Sequence, residues 1–192
     1  MVDDCGGFPA HPDVRPAHPQ GPALPYTGAM STIADLRRIL ASCRTLAVVG
    51  LSPQWHRPSF FAAKYMQAHG YRIVPVNPGA TEILGERCYP SVTAAAQALA
   101  ERGERIDMVD CFRRSDDIPP IAEEAIAIGA RCLWLQLGVV NEAAAARARA
   151  AGLDVVMDRC VKIEHARLFG GLNWAGVNTR VISAKRPHQL PY

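Results

Sequence analysis

Fifteen residues constrain this chain more than any others: TLAVVGLSPQWHRPS, residues 45–59. A short apolar run with β-branched residues stops at Gly50, and polar loop residues follow. Pro58 then opens FFAAKYMQAHG, a helix-like stretch. A continuous apolar run reads as a buried parallel strand. Proline suits the first helical turn, where its missing N–H is not needed. Strand, tight turn and helix start aim backbone N–H groups and the positive end of a helix at one spot, which attracts phosphate. Residues 50–59 therefore read as the ligand-binding turn of a nucleotide-binding domain.

The same alternation recurs four more times. Strands are expected over 72–76, 106–111, 131–135 and 153–157. Helices are expected over 60–69, 92–102, 115–128 and 142–151, with Ser91, Ser115 and Asn141 as caps. A further amphipathic helix, capped by Ser31, precedes the first strand through Leu36, Ile39 and Leu40. Short links between alternating strands and helices demand an α/β fold. The expectation is a single domain with a doubly wound, parallel, five-stranded, Rossmann-like sheet in the order 3-2-1-4-5. Its ligand sits beyond the carboxyl ends of the strands, at the switch point between strands one and four.

Three parts are expected along the chain. Residues 1–30 hold many of the 15 prolines, with little to bury, and read as a disordered extension. Residues 31–168 form the domain. Residues 169–192 form a tail, the chain past 158 being coil and a short helix.

The bulk composition narrows the function classes. At 49% hydrophobic, 192 residues support one substantial core. A net charge of +3, with no Lys/Arg run, gives no case for nucleic acid. There is no apolar stretch long enough to span a membrane, and no signal peptide is expected at the N-terminus. Six cysteines without a CxxC pair suit reduced thiols in the cytoplasm better than disulfides or zinc. A homo-oligomer or a protein partner stays open.

The nucleotide is narrowed by what the turn lacks. A dinucleotide site needs GxGxxG after the first strand and an acid after the second. Only Gly50 stands here, and the second strand runs into Asn77 and Pro78. No GxxxxGK[ST] motif occurs. The site edge instead offers Ser52, Arg57 and Ser59, with Arg72 on strand two and Arg113 and Arg114 after strand three. Guanidinium groups suit phosphates. The set fits a ligand richer in phosphate than NAD.

The blocks GLSP and RPS, VPVNP, DMVDCFRRS, WLQLGV and VMDRC together resemble the small stand-alone CoA-binding domain family. Those Rossmann-type proteins are similar to the CoA-binding domain of the succinyl-CoA synthetase alpha subunit. The resemblance covers about residues 36–164. It implies coenzyme A as ligand. It also implies that Gly50, Leu51 and Ser52 approach the diphosphate, supported by Arg57 and Ser59. Val76, Asn77 and Pro78 are then expected to flank the adenosine. Phe112 and Arg113, and Gln136 with Gly138, would supply the turns after strands three and four. The synthetase subunit carries a second domain with a phosphorylated histidine, for which there is too little chain here. Ligase activity is not carried over, and His165 reads as a surface histidine.

Three functions compete. The first is a CoA or acyl-CoA binding module without chemistry of its own. The second is an enzyme, or enzyme subunit, acting on an acyl-CoA. Its candidate groups are His56, Asp110, Cys111 and Cys160, though spacing alone pairs none of them. The third is an NAD(P)-binding protein. Cys160 has two readings: a small apolar filler under the tail, placed first because free cysteine is usually buried, and a thiolate, favoured by Arg159 beside it, able to exchange with a CoA disulfide.

Overall fold

Residues 31–170 are described by the structure, a computed structural model. In chain order, helix α1 (Ile33–Ser42) leads into strand β1 (Thr45–Val49), helix α2 (Pro58–Ala68) and strand β2 (Arg72–Val76). A hairpin follows, β3 (Glu82–Ile83) and β4 (Glu86–Arg87), then α3 (Val92–Ala100) and β5 (Met108–Cys111). A 3-10 turn, Ser115–Asp117, runs into α4 (Ile118–Ala127). The chain continues through β6 (Cys132–Leu135), α5 (Glu142–Ala150), β7 (Asp154–Val156) and α6 (Val161–Phe169). The expected extension over 1–30 and most of the expected tail lie outside the described residues.

The main sheet is parallel, in the order β2-β1-β5-β6-β7. Successive side chains point to opposite faces, so each strand feeds two cores. Ala47, Val49, Val109, Cys111, Leu133 and Leu135 pack under α3, α4 and α5. Leu46, Val48, Met108, Cys132 and Trp134 pack under α1, α2 and α6. This is the expected doubly wound α/β domain.

The strand order needs one correction. The strand expected third, β5, does not lie outside β2; it pairs with the other side of β1, Leu46 facing Met108 in register. The outer flank of β2 is met only by a single parallel bridge, Val76 to Tyr89. Counting that bridge as an edge position gives six positions in the order 3-2-1-4-5-6, with β5 as the fourth member. The chain thus reverses direction across the sheet between β1 and β5, and the site candidates that follow those two strands face each other.

Local chemistry explains the element ends. Thr32, not Ser31, caps α1: its hydroxyl accepts from Asp35 N–H, and the Asp35 carboxylate accepts from Thr32 N–H. Ser31 Oγ instead donates to Val155 O at 3.1 Å. Ser91 and Asn141 cap α3 and α5 as expected. The 3-10 turn takes up Asp116 and Asp117, so α4 starts three residues later than the sequence suggests and carries its prolines in its first turn.

Candidate functional site

Gly50 ends β1 with φ +81°, a conformation that favours glycine. Its N–H donates to Val76 O at 2.9 Å, and Phe112 N–H donates to Val49 O at 2.9 Å. The turns after β2, β1 and β5 are therefore laced together. They also crowd: a Cβ at Gly50 would lie 2.6 Å from Phe112 O and 2.8 Å from Arg113 Cδ. Glycine is required here by the approach of a neighbouring turn.

Two clefts open at this carboxyl edge, and Gly50 and Arg113 line both. The larger, about 910 Å³, spreads toward β6 and β7. Ser52, Arg57, Ser59, Phe112 and Gln136 line it, as does His56. The smaller, about 370 Å³, spreads over the end of β2, where Val76, Asn77 and Pro78 line it. Ten of the twelve expected site residues thus border one of two adjoining hollows. Leu51 and Gly138 border neither. Leu51 is fully buried, and its carbonyl accepts from Asn77 Nδ2 at 2.9 Å. Gly138 N–H donates to Asp158 Oδ1 at 2.7 Å, which shapes the turn after β6.

Several expected ligand groups already have protein partners. Ser52 N–H donates to Ser59 Oγ at 3.1 Å, and Ser52 Oγ accepts from Gln54 N–H. Arg57 Nε donates to Gln54 Oε1 at 3.2 Å. Asn77 accepts from Gly79 N–H while donating to Leu51, so it ties two turns together. Arg72 leaves the site altogether. It begins β2, at the edge of the sheet opposite the clefts, and pairs with Glu104.

A short helix is expected past residue 158, but the sequence does not place it on the larger cleft, which it completes. Cys160 is the N-cap of α6, and Lys162 and Ile163 in its first turn join Cys160 on the wall. Arg57 and Pro58, at the start of α2, stand on the same cleft. Two helix N-termini therefore face it, together with Arg57, Arg113 and Lys162, and among the described residues no carboxylate lines it. That field selects an anion.

Behind Gln136 sits Asp110, on β5 between Val48 and Trp134. Burial pushes its carboxyl up from the ordinary 3.8 to about 7, against the smaller opposing effect of the Gln136 hydrogen bond. Cys111 points to the other face of the sheet, and burial raises it well above its usual range. Burial also raises Cys160, partly offset by the backbone N–H groups of Ile163 and Lys162. Arg159, expected to activate Cys160, is instead engaged by Glu164 at 3.0 Å.

His165 is not on the surface. It is 7% exposed, with Nδ1 3.2 Å from Tyr65 Oη and its ring against His69, Tyr71 and Phe169. Burial lowers its pKa. Among the described residues, no three metal-binding side chains gather at one point, and no helix is long and apolar enough to cross a membrane.

An uncharacterized protein of Bacillus subtilis strain 168, YneT, is 41% identical over 133 residues, which is 69% of this chain and 93% of that protein. A hypothetical protein from Pyrococcus horikoshii OT3 superimposes with a TM-score of 0.67 at 36% identity, covering 77% of this chain and 100% of its own. The Thermus thermophilus protein described as cell-free ID.343 gives a TM-score of 0.64 at 32% identity, over 72% and 99%. Residues 44–166 match the family described as a CoA binding domain, and they contain the turns after β1, β2, β5, β6 and β7 that border the two clefts. The chain belongs to the CoA binding domain family.

Proposed function

We propose that this protein binds coenzyme A, or an acyl-CoA, reversibly across the two clefts, and that it acts as a ligand-binding module rather than as a catalyst. The observation that carries the reading is the shared boundary at Gly50 and Arg113. A ligand with an adenosine at one end and a long arm at the other fits two hollows joined at a cationic neck. The adenosine lies over Asn77 and Pro78, the diphosphate at the neck, and the pantetheine arm in the larger cleft. Gly50, Ser52, Arg57, Ser59, Val76, Phe112 and Gln136 then act as walls and supports, with Leu51 and Gly138 behind them.

The smaller cleft argues against NAD. Two of its three carboxylates are engaged: Asp117 faces Arg113 and Arg114 at 3.6 and 3.7 Å, and Glu124 accepts from Thr93 N–H and hydroxyl, the third being Asp116. Asn77, where an acid would hold a ribose diol, is spent on the backbone. Isothermal calorimetry with CoA and NAD tests the proposal. CoA should bind and NAD should not bind comparably. NAD binding as tightly as CoA would overturn it.

A further inference from the structure

Large apolar side chains are exposed at few places among the described residues: Ile33, Trp55, Phe61, Leu137, Val140 and Phe169. Two of these six line the larger cleft, and a third packs against one of them. Phe61 and Leu137 line it, 47% and 38% exposed, and Trp55 packs edge to face on Phe61 with ring centroids 6.3 Å apart. Apolar groups held in water at the mouth of a cleft mark a binding surface.

The cleft is also polarised. Its end at the neck is cationic, through Arg113 and, at the start of α2, Arg57. Toward β6 and β7 the walls become Leu137, Val139 and Ile163, with Lys162 beside Ile163 in the first turn of α6 and Phe61 one turn along α2 from Arg57. At about 910 Å³ it lies near the top of the range that encloses a whole drug-sized ligand, roughly 300–1,000 Å³. A pantetheine arm brings its gem-dimethyl group and methylenes to these walls but ends in a thiol, whereas an acyl chain extends the hydrocarbon beyond it.

We propose that the preferred ligand is an acyl-CoA with an apolar chain of medium length, its acyl group lying between Phe61, Leu137 and Ile163 with Trp55 at the rim. This rests on the CoA reading above and narrows it. The side chains supply the complementarity: anionic diphosphate at Arg57 and Arg113, hydrocarbon against Phe61, Leu137 and Ile163. Each buried methylene adds favourable transfer free energy, so affinity should climb with chain length until the walls end.

Titration of the full chain with CoA, acetyl-CoA, octanoyl-CoA and octanoate, followed by calorimetry, tests this. Octanoyl-CoA should bind at least tenfold more tightly than CoA, and octanoate alone should bind far more weakly than octanoyl-CoA. In Phe61→Ser/Leu137→Ser, both positions being partly exposed, the ratio of octanoyl-CoA to CoA affinity should collapse toward one. Equal affinity of CoA and octanoyl-CoA in the unaltered protein overturns the acyl proposal and leaves the CoA reading intact. Binding of neither ligand overturns both. Sedimentation adds the remaining outcome: a dimer broken by Phe61→Ser, with an affinity ratio of one throughout, assigns the rim to a second copy of the chain and overturns the acyl proposal.

Discussion

Gln136 donates its side-chain amide to Asp110 Oδ1 at 2.6 Å, and this is the one hydrogen bond to that carboxyl among the described residues. Gln136 lines the larger cleft, while Asp110 stands behind it, 1% exposed. The pair joins the turn after β6 to the inside of β5, so the state of Asp110 bears on both the sheet and the cleft wall.

Stability should therefore fall as pH rises from about 4 to about 7. In that window the folded chain keeps a proton on Asp110 that the unfolded chain, near the ordinary 3.8, has released. A proton held more tightly by the folded state favours folding at low pH, and the benefit is lost as pH passes the folded value. Each pH unit is worth about 1.4 kcal/mol, so the full effect is a few kcal/mol. Asp110→Asn removes the titration, and Gln136 can present its amide oxygen to the new side chain. Melting temperatures of the two proteins should be similar at pH 4 and diverge in favour of Asp110→Asn by pH 8. A difference independent of pH would show that Asp110 is not the titrating group.

Gly50→Ala should destabilise the fold by about 1–3 kcal/mol, the cost of holding a side chain in a left-handed conformation. The added methyl would meet the Phe112 carbonyl, a backbone atom that cannot step aside, and would push on Arg113. CoA affinity should fall with stability, because the methyl sits on the neck between the clefts. Thermal unfolding and a CoA titration on one preparation check both effects. A variant with unchanged melting temperature would mean that the two turns are looser than described.

Arg113 and Arg72 make a paired test of position. Both were legible as phosphate candidates, yet only Arg113 reaches the clefts; Arg72 pairs with Glu104 at the far edge. Arg113→Ala should weaken CoA by about 1.5–3 kcal/mol, the range for a hydrogen bond to a charged group. Arg72→Ala should leave CoA affinity unchanged. Equal losses from both would overturn the assignment of the cationic neck.

The strands and their turns were legible because each is an apolar run closed by Gly, Asn-Pro or a polar cluster. Which strand neighbours which was not. Leu46 and Val48 make equally good contacts with a strand on either side, and the reduction of one edge position to the Tyr89 bridge left no run to read. The β3–β4 hairpin was silent because its turn uses Leu84 and Gly85, with φ +57° and +75°, in place of the usual Asn-Gly or Asp-Gly. Helix α6 was obscured by its buried face. Val161, Glu164, His165 and Leu168 recur at helical spacing, but two of the four are polar. Glu164 tolerates burial only because Arg159 and Arg167 both engage it. The part of the cleft wall on that helix was lost with it.

Cys160 supplies the last prediction. It lines the larger cleft, and its burial favours the buried-filler reading over the activated thiolate. Burial holds the thiol above its ordinary 9.0, and Arg159 is committed to Glu164. The thiolate is the reactive form, so Cys160 should be slow toward CoA disulfide at pH 7, with no adduct accumulating under conditions that label a free thiol. Alkylation should accelerate only as pH passes 9. Cys43, Cys88, Cys111 and Cys132 are buried more deeply, which leaves Cys160 the most accessible of the five described cysteines. Peptide mapping separates it from Cys5, which lies outside the described residues. If the pantetheine arm occupies the larger cleft, saturating CoA should slow alkylation of Cys160 at pH 9. Rapid formation of a CoA adduct at pH 7, absent in Cys160→Ser, would reverse the conclusion and make this thiol a redox centre. Equal alkylation rates with and without bound CoA would take the arm out of the larger cleft.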